Sequence, residues 1–337
     1  MNFLPNEIHK KIIKNTIPSM RWDFKSDFSA HKKNCKEKLV QLLGINEIIE
    51  TDKDVKILKE ETLNGQRYVK LAVKTEEDYY ASCHLLFPKN YSGERLPLCV
   101  CLQGHVSGAH LGLGIEKFPY DNVYLQNEGV DFCIQATNRG YIALAIEQRG
   151  FGENGGDLKT GGTNCLHPAL TAILTGRTLV GERVWDVQRV LDSVLEQFSD
   201  IVTMENSVLV GMSGGGTATY YVACLDDRFD TYVPGVALCS FYDSITEISH
   251  CACNYVPNMT KHFDMGDLAV LIAPKRLIVV SGTDDKWFPI DGAKREFERI
   301  KKIYEAQNAT DKCIHVICKG GHSFYPNEAW QEIQRHK

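Results

Sequence analysis

The chain has no apolar run long enough to cross a bilayer, no block of basic residues, no internal repeat and no low-complexity tract. The first absence excludes a helical membrane span, which needs about 20 consecutive apolar residues. The second, with a formal net charge of −5, argues against a nucleic-acid partner, because phosphate binding rests on clustered Lys and Arg. Lys10, Lys11, Lys14, Lys32 and Lys33 are interleaved with apolar positions and read as the wet faces of amphipathic helices. The start, Met1-Asn2-Phe3-Leu4-Pro5-Asn6-Glu7, shows neither an apolar h-region nor a small-residue cleavage site. A secretory signal is therefore not expected, and a cytoplasmic location is.

Cysteine is not scarce, but paired cysteine motifs are. The 12 cysteines are scattered, and Cys99, Cys101, Cys313 and Cys318 lie inside strand patterns, where a free thiol behaves as a small hydrophobe. Without an export signal, reduced thiols are the simpler expectation. The run His250-Cys251-Ala252-Cys253 has metal-ligand residue types but no second paired element at zinc-finger spacing. It reads as a packed loop, so neither metal nor cofactor is expected.

What is present suits one sizeable domain. A hydrophobic fraction of 43% over 337 residues is enough to bury a core. Residues 1–50 read as an N-terminal helical extension, ending in the amphipathic run before Gly44. Residues 51–337 read as one domain. Tyr68-Val69-Lys70-Leu71-Ala72-Val73 and Tyr80-Ala81-Ser82-Cys83-His84-Leu85-Leu86-Phe87 alternate like half-exposed antiparallel strands. Buried strands follow at 96–102, 141–146, 207–210, 232–238, 277–281 and 313–318, with a long helix from about 180 to 198. Antiparallel strands first, then strands alternating with helices, predict an α/β fold. Its mostly parallel central sheet would carry antiparallel N-terminal strands and helices on both faces.

The most telling stretch is Gly211-Met212-Ser213-Gly214-Gly215. It follows the strand run Ser207-Val208-Leu209-Val210 and precedes the small-residue helix start Gly216-Thr217-Ala218-Thr219-Tyr220. Strand, G-x-S-x-G, helix is the setting of a nucleophile elbow. There the serine sits on a strained turn that lifts its hydroxyl above the sheet edge. The turn also aims the Gly214 N–H, at a helix N-terminus, toward a developing oxyanion. Alone, the motif is common in glycine-rich loops. An acid and a histidine should follow at the ends of later strands, in that order. Asp284 and Asp285 close the run Leu277-Ile278-Val279-Val280-Ser281-Gly282-Thr283, and His322 closes Cys313-Ile314-His315-Val316-Ile317-Cys318-Lys319-Gly320-Gly321. Taken singly, Asp285 is as easily a turn cap, and His322 an N-cap neighbour beside Ser323. Taken together, they read as a general base, His322, oriented by Asp285. Asp243 is a more distant candidate for the acid. A second oxyanion donor should come from the loop after strand 96–102, where Gly104 permits close approach and His105 or Val106 offers its N–H.

These residues carry a resemblance. Leu102-Gln103-Gly104-His105, Glu147-Gln148-Arg149-Gly150-Phe151-Gly152-Glu153, Gly181-Glu182-Arg183-Val184-Trp185-Asp186, the elbow, Gly282-Thr283-Asp284-Asp285-Lys286-Trp287-Phe288-Pro289 and Gly320-Gly321-His322 resemble the α/β-hydrolases. More narrowly, they resemble the acetyl-xylan-esterase and dienelactone-hydrolase-like bacterial serine esterases. The likeness runs from about residue 35 onward. It implies Ser213, Asp285 and His322 as the catalytic set, no cofactor, and cleavage of carboxylic esters. In that family the aspartate lies three residues after the glycine, which selects Asp285 over Asp284. Dienelactone hydrolases proper carry a cysteine at the elbow, and this chain carries Ser213.

The expected activity is a serine carboxylesterase removing small acyl groups such as acetyl from a small-molecule or carbohydrate ester. Gly214, Gly104 and His105 would form the oxyanion hole. The glycine-rich segment 150–176 and a lid-like insertion at about 241–267 would wall the pocket, with Tyr242 and Trp287 as substrate contacts. His250, Tyr255 and Pro257 also lie in or near that wall, and Arg149 and Asp186 would pair beneath the site as scaffold. Neither a nucleic-acid nor a membrane partner is expected, and self-association stays open. Two other readings use the same residues. A serine peptidase or amidase would usually bring a gating domain, which a single core of this length lacks. A catalytically inactive binding protein would show a lost triad member, and none is lost.

Overall fold

The computed structural model describes residues 3–335; residues 1–2 and 336–337, at the outer ends of the two predicted ranges, lie outside it. Nine strands form one sheet: β1 (Val55–Leu63), β2 (Gln66–Glu76), β3 (Tyr79–Leu86), β4 (Leu96–Leu102), β5 (Ile142–Ile146), β6 (Val202–Met212), β7 (Thr231–Gly235), β8 (Arg276–Gly282) and β9 (Cys313–Cys318). Their spatial order is β1-β2-β3-β5-β4-β6-β7-β8-β9. β1, β2 and β3 run antiparallel, and β3 also meets β5 antiparallel. From β5 to β9 every pairing is parallel.

Strict alternation in the parallel strands divides the core between the two faces. Leu98, Val100 and Leu102 of β4, Leu144 of β5, Leu209 of β6, and Leu277 and Val279 of β8 point into one cluster. That cluster is covered by the helices Phe28–Leu43, Leu179–Gln197 and Gly214–Leu225. Their neighbours Cys99, Cys101, Ala143, Ala145, Val208, Val210, Ile278 and Val280 point the other way, onto the helices Phe132–Thr137 and Pro326–Gln334. Runs that look uniformly apolar are thus two interleaved faces, each buried under helices. All twelve cysteines are free thiols, eleven of them buried.

Three details depart from the sequence expectation. β1 was not foreseen, because its interior residues are exposed and no apolar alternation marks it. It forms because Asn64 and Gly65, with φ of 49° and 79°, make a two-residue hairpin back onto β2. The strand expected at 232–238 is shorter, since Val236 turns out of it at φ 44°. The N-terminal region is not simply an appendage. Trp22, Cys35, Leu39 and Leu43 belong to the main core, and Arg21 pairs with the fully buried Asp267, which also receives Arg299. The long helix begins at Leu179 because the Thr178 side chain caps it by accepting from Gly181 N at 3.1 Å.

Candidate active site

Ser213 stands between the end of β6 and the helix Gly214–Leu225, at φ 53° and ψ −120°. A non-glycine residue pays for that left-handed backbone and keeps it only where its surroundings enforce it. Here Ser213 N donates to Gly235 O of β7 at 2.9 Å, and Thr217 N donates to Ser213 O at 2.8 Å. The flanking glycine is a steric requirement. A Cβ at Gly215 would lie 2.1 Å from Leu102 O and 2.5 Å from Gln103 O. The first turn of the helix therefore rests directly on the end of β4. β4 pairs with β6 through Leu102 and Gly211, so the loop that leaves β4 at Gly104 lies beside the serine. A Cβ on Gly104 would come within 3.0 Å of Ser213 Cβ. In that loop Val106 N donates to Gly104 O at 2.8 Å, which engages one of the two candidate oxyanion donors.

His322 follows β9 through Gly320, whose φ is 139°. Its Nδ1 lies 2.8 Å from Asp285 Oδ2. Asp285 is buried beyond the end of β8, and its Oδ1 accepts from Trp287 N at 2.8 Å and Phe288 N at 3.2 Å. The Phe288 ring lies nearly parallel to the imidazole, at 12° and 6.0 Å between centroids. Asp284 turns away; its carboxylate accepts from Thr283 and its backbone N donates to Gly320 O. Asp243 is bonded to Ser240 and Arg295 instead.

Ser213 and His322 open into one pocket of about 320 Å³, close to the lower end of small-ligand sites. Gly104, His105, Gly214 and Trp287 line it. Tyr242 does not line it. Its ring faces Lys14 of the N-terminal helix across 5.7 Å, and it borders a separate surface hollow. The insertion folds as short helical turns, and the one at Tyr242–Thr246 carries this side chain outward. Tyr255 and Pro257 border another outer groove, while His250 joins the pocket and hydrogen-bonds Ser244 Oγ and Trp287 O. Tyr124 and Glu128 also line the pocket, and nothing in their local sequence marks them. Burial pushes the Glu128 carboxyl above its usual range, against the pull of His322.

The scaffold beneath is charged and paired. Arg149 makes two 2.7 Å hydrogen bonds to Asp186, adds Glu76 and Glu182, and stacks on Tyr79. Buried Glu147 receives Gln103 Nε2 and Ala109 N, which braces the loop after β4. Burial drives its carboxyl up to about 7. Ser107, His110 and Asp121 form a second Ser–His–Asp grouping, all buried and outside the lining of the pocket. It stiffens the same loop.

Sequence reasoning missed one convergence. Cys251 and Cys253 of the insertion meet His105 of the loop after β4 and Cys165 of the glycine-rich segment, with all four potential ligand atoms within 4.8 Å of one another. His105 Nε2 is 3.2 Å from Cys253 Sγ, and Cys253 Sγ is 3.4 Å from Cys251 Sγ. Contacts from Cys165 and Cys251, then the charge of Arg183, hold the Cys253 thiol well below its ordinary value against burial. The C-x-C pair was visible in the sequence. Its partners were not, because Cys165 and Cys251 stand 86 positions apart along the chain.

A mostly parallel sheet, an elbow serine at a strand-to-helix turn, and an acid and a histidine at later strand ends together define the α/β-hydrolase fold. No family model matches the chain. It is similar to the protein YtaP of Bacillus subtilis (strain 168), provisionally named a hydrolase, at 28% identity over 243 residues, covering 70% of this chain and 76% of that one. Among solved structures it is similar to a provisionally named acetyl xylan esterase of Bacteroides fragilis, with a TM-score of 0.77 and 16% identity over 94% of this chain and 83% of that chain. A family 15 glucuronoyl esterase of Caldicellulosiruptor kristjansonii matches with a TM-score of 0.58 and 18% identity over 92% and 84% of the two chains.

Proposed function

We propose that this protein is a serine carboxylesterase acting on small acyl esters, with Ser213, His322 and Asp285 as its catalytic residues. The observation that carries the reading is the left-handed Ser213 sharing a pocket with a histidine whose Nδ1 is engaged by Asp285. With Nδ1–H given to Asp285, Nε2 is the basic nitrogen. It takes the Ser213 proton as Oγ attacks the ester carbonyl, and it returns the proton to the leaving alkoxide. The Gly214 N–H, at the start of its helix, receives the oxyanion. Val106 N–H is already given to Gly104 O, which leaves His105 N–H as the second donor. Water activated by His322 then releases the acid. Acetyl on a carbohydrate is the first substrate choice. It rests on the small pocket and on the esterases named among the structural neighbours.

The test is direct. A fluorophosphonate should label the wild type and not Ser213→Ala, and p-nitrophenyl acetate turnover should vanish in that folded variant. A p-nitrophenyl series from acetate to octanoate, together with acetylated sugars, then sets acyl length and alcohol. Unchanged turnover in Ser213→Ala would sink the assignment.

A further inference from the structure

We propose that His105, Cys165, Cys251 and Cys253 form a tetrahedral zinc site that ties together three walls of the pocket. Three thiols and one imidazole are the donor set of closed, structural zinc sites. They come from three separate stretches: the loop after β4, the segment before the helix Leu166–Leu174, and the insertion. With metal–sulfur bonds of about 2.3 Å and metal–nitrogen bonds of about 2.0 Å, a tetrahedron has ligand–ligand edges of roughly 3.5–3.8 Å. Edges of 3.2 and 3.4 Å, with a ceiling of 4.8 Å over all pairs, bracket that figure. The ligand atoms already converge, so a metal ion could be accommodated by side-chain shifts of up to about one ångström.

Charge gives an independent argument. Arg183 is almost completely buried. Its Nε and Nη2 donate to Arg149 O at 3.0 and 2.6 Å, and Nη2 also reaches Cys165 Sγ at 3.3 Å. No carboxylate pairs with it among the described residues, and a buried cation without a counter-charge is costly. Zinc held by three thiolates and a neutral imidazole carries one net negative charge, which Arg183 would balance. On binding, the thiol protons leave to solvent and His105 offers the Nε2 lone pair that faces Cys253. All four positions are then filled by protein, so the metal acts as a staple and takes no part in the chemistry. It would fix the His105 loop beside Gly214 and hold the insertion over the pocket.

The test reads metal, and its outcome is independent of ester turnover. Untagged full-length protein, purified reduced and without chelator, should carry about one zinc per chain by mass spectrometry of the metals. Cys165→Ser combined with Cys251→Ser should lower that content at least about tenfold, whereas Cys318→Ser, on the distant β9, should not. Cobalt added to reduced, metal-stripped wild type should give thiolate charge-transfer bands and the intense visible bands of a tetrahedral site. That measurement needs no variant to fold. Zinc-free protein that also fails to give the cobalt spectrum overturns the proposal. So does an intact mass two hydrogens short with a mapped disulfide among these cysteines, or a double variant that keeps wild-type zinc.

Discussion

The imidazole of His105 occupies the space that a side chain at residue 214 would need: a Cβ built on Gly214 would lie 2.7 Å from His105 Cε1 and 2.8 Å from Nδ1. The two proposed oxyanion donors are therefore packed against each other, and His105 is held from behind by Cys253 and by the edge of Phe151. Gly214→Ala should displace the His105 loop and lower kcat for p-nitrophenyl acetate about a hundredfold, the usual scale for losing one oxyanion donor. Fluorophosphonate labelling should slow in proportion. A variant with wild-type kcat would place the oxyanion elsewhere.

Asp285 and Asp284 separate cleanly by substitution. In Asp285→Asn the retained oxygen can still accept from Trp287 and Phe288, which leaves the amide N–H₂ facing His322 Nδ1. That donor selects the tautomer protonated at Nε2, which cannot accept the serine proton. Turnover should fall by about three orders of magnitude or more, with the fold intact by circular dichroism. Asp284→Asn should stay within about twofold of wild type, as an exposed carboxylate bonded to Thr283 predicts. If the two results are exchanged, the acid has been assigned one residue too late.

Steric fit at the elbow predicts a stability difference between two glycines. Gly215→Ala would press a methyl onto the backbone of Leu102 and Gln103, neither of which can swing aside. It should cost about 1–3 kcal/mol in denaturant unfolding and depress activity as the elbow shifts. Gly321→Ala, whose Cβ would meet nothing within 4 Å, should change stability by less than about 0.5 kcal/mol. Equal costs would mean that the tight contact at Gly215 relaxes freely.

Glu296 gives a pH signature away from the pocket. Burial, then the neighbouring Asp264 charge, pushes its carboxyl from 4.5 up to about 8, although Gly266 N donates to it at 2.7 Å. The folded protein thus holds this proton more tightly than the unfolded chain does. Stability from this group is greatest below about pH 4.5, declines as pH rises through the interval to about 8, and is flat beyond. Glu296→Gln keeps the acceptor for Gly266 and removes the charge. The variant should lose that decline and melt above the wild type at about pH 9, while the gap closes near pH 4. Thermal midpoints across that range check it; parallel curves would contradict it.

Much of the site was readable because its signals are local. Gly211–Gly215 encode a backbone turn within a few residues, and strand patterns at 277–281 and 313–318 point to the loops that carry Asp285 and His322. β1 was not readable, since its partner lies across a hairpin and its own side chains face water. Tyr242 illustrates the opposite error. Its direction depends on which helical turn bears it, and no local pattern reports that.

The amino-acid order alone determined the alternation of strands and helices, the elbow, and the sequence serine, aspartate, histidine along the chain. Each of these follows from propensity, periodicity and turn geometry over short stretches. Only the tertiary structure decided that Tyr242 faces away from the pocket, that Val106 N–H is engaged by Gly104, and that Cys165, Cys251, Cys253 and His105 converge. Those meetings depend on the paths of loops between distant strands. Side-chain contacts across such loops are set by the packing of the whole sheet and its helices, and no local pattern in the chain records them.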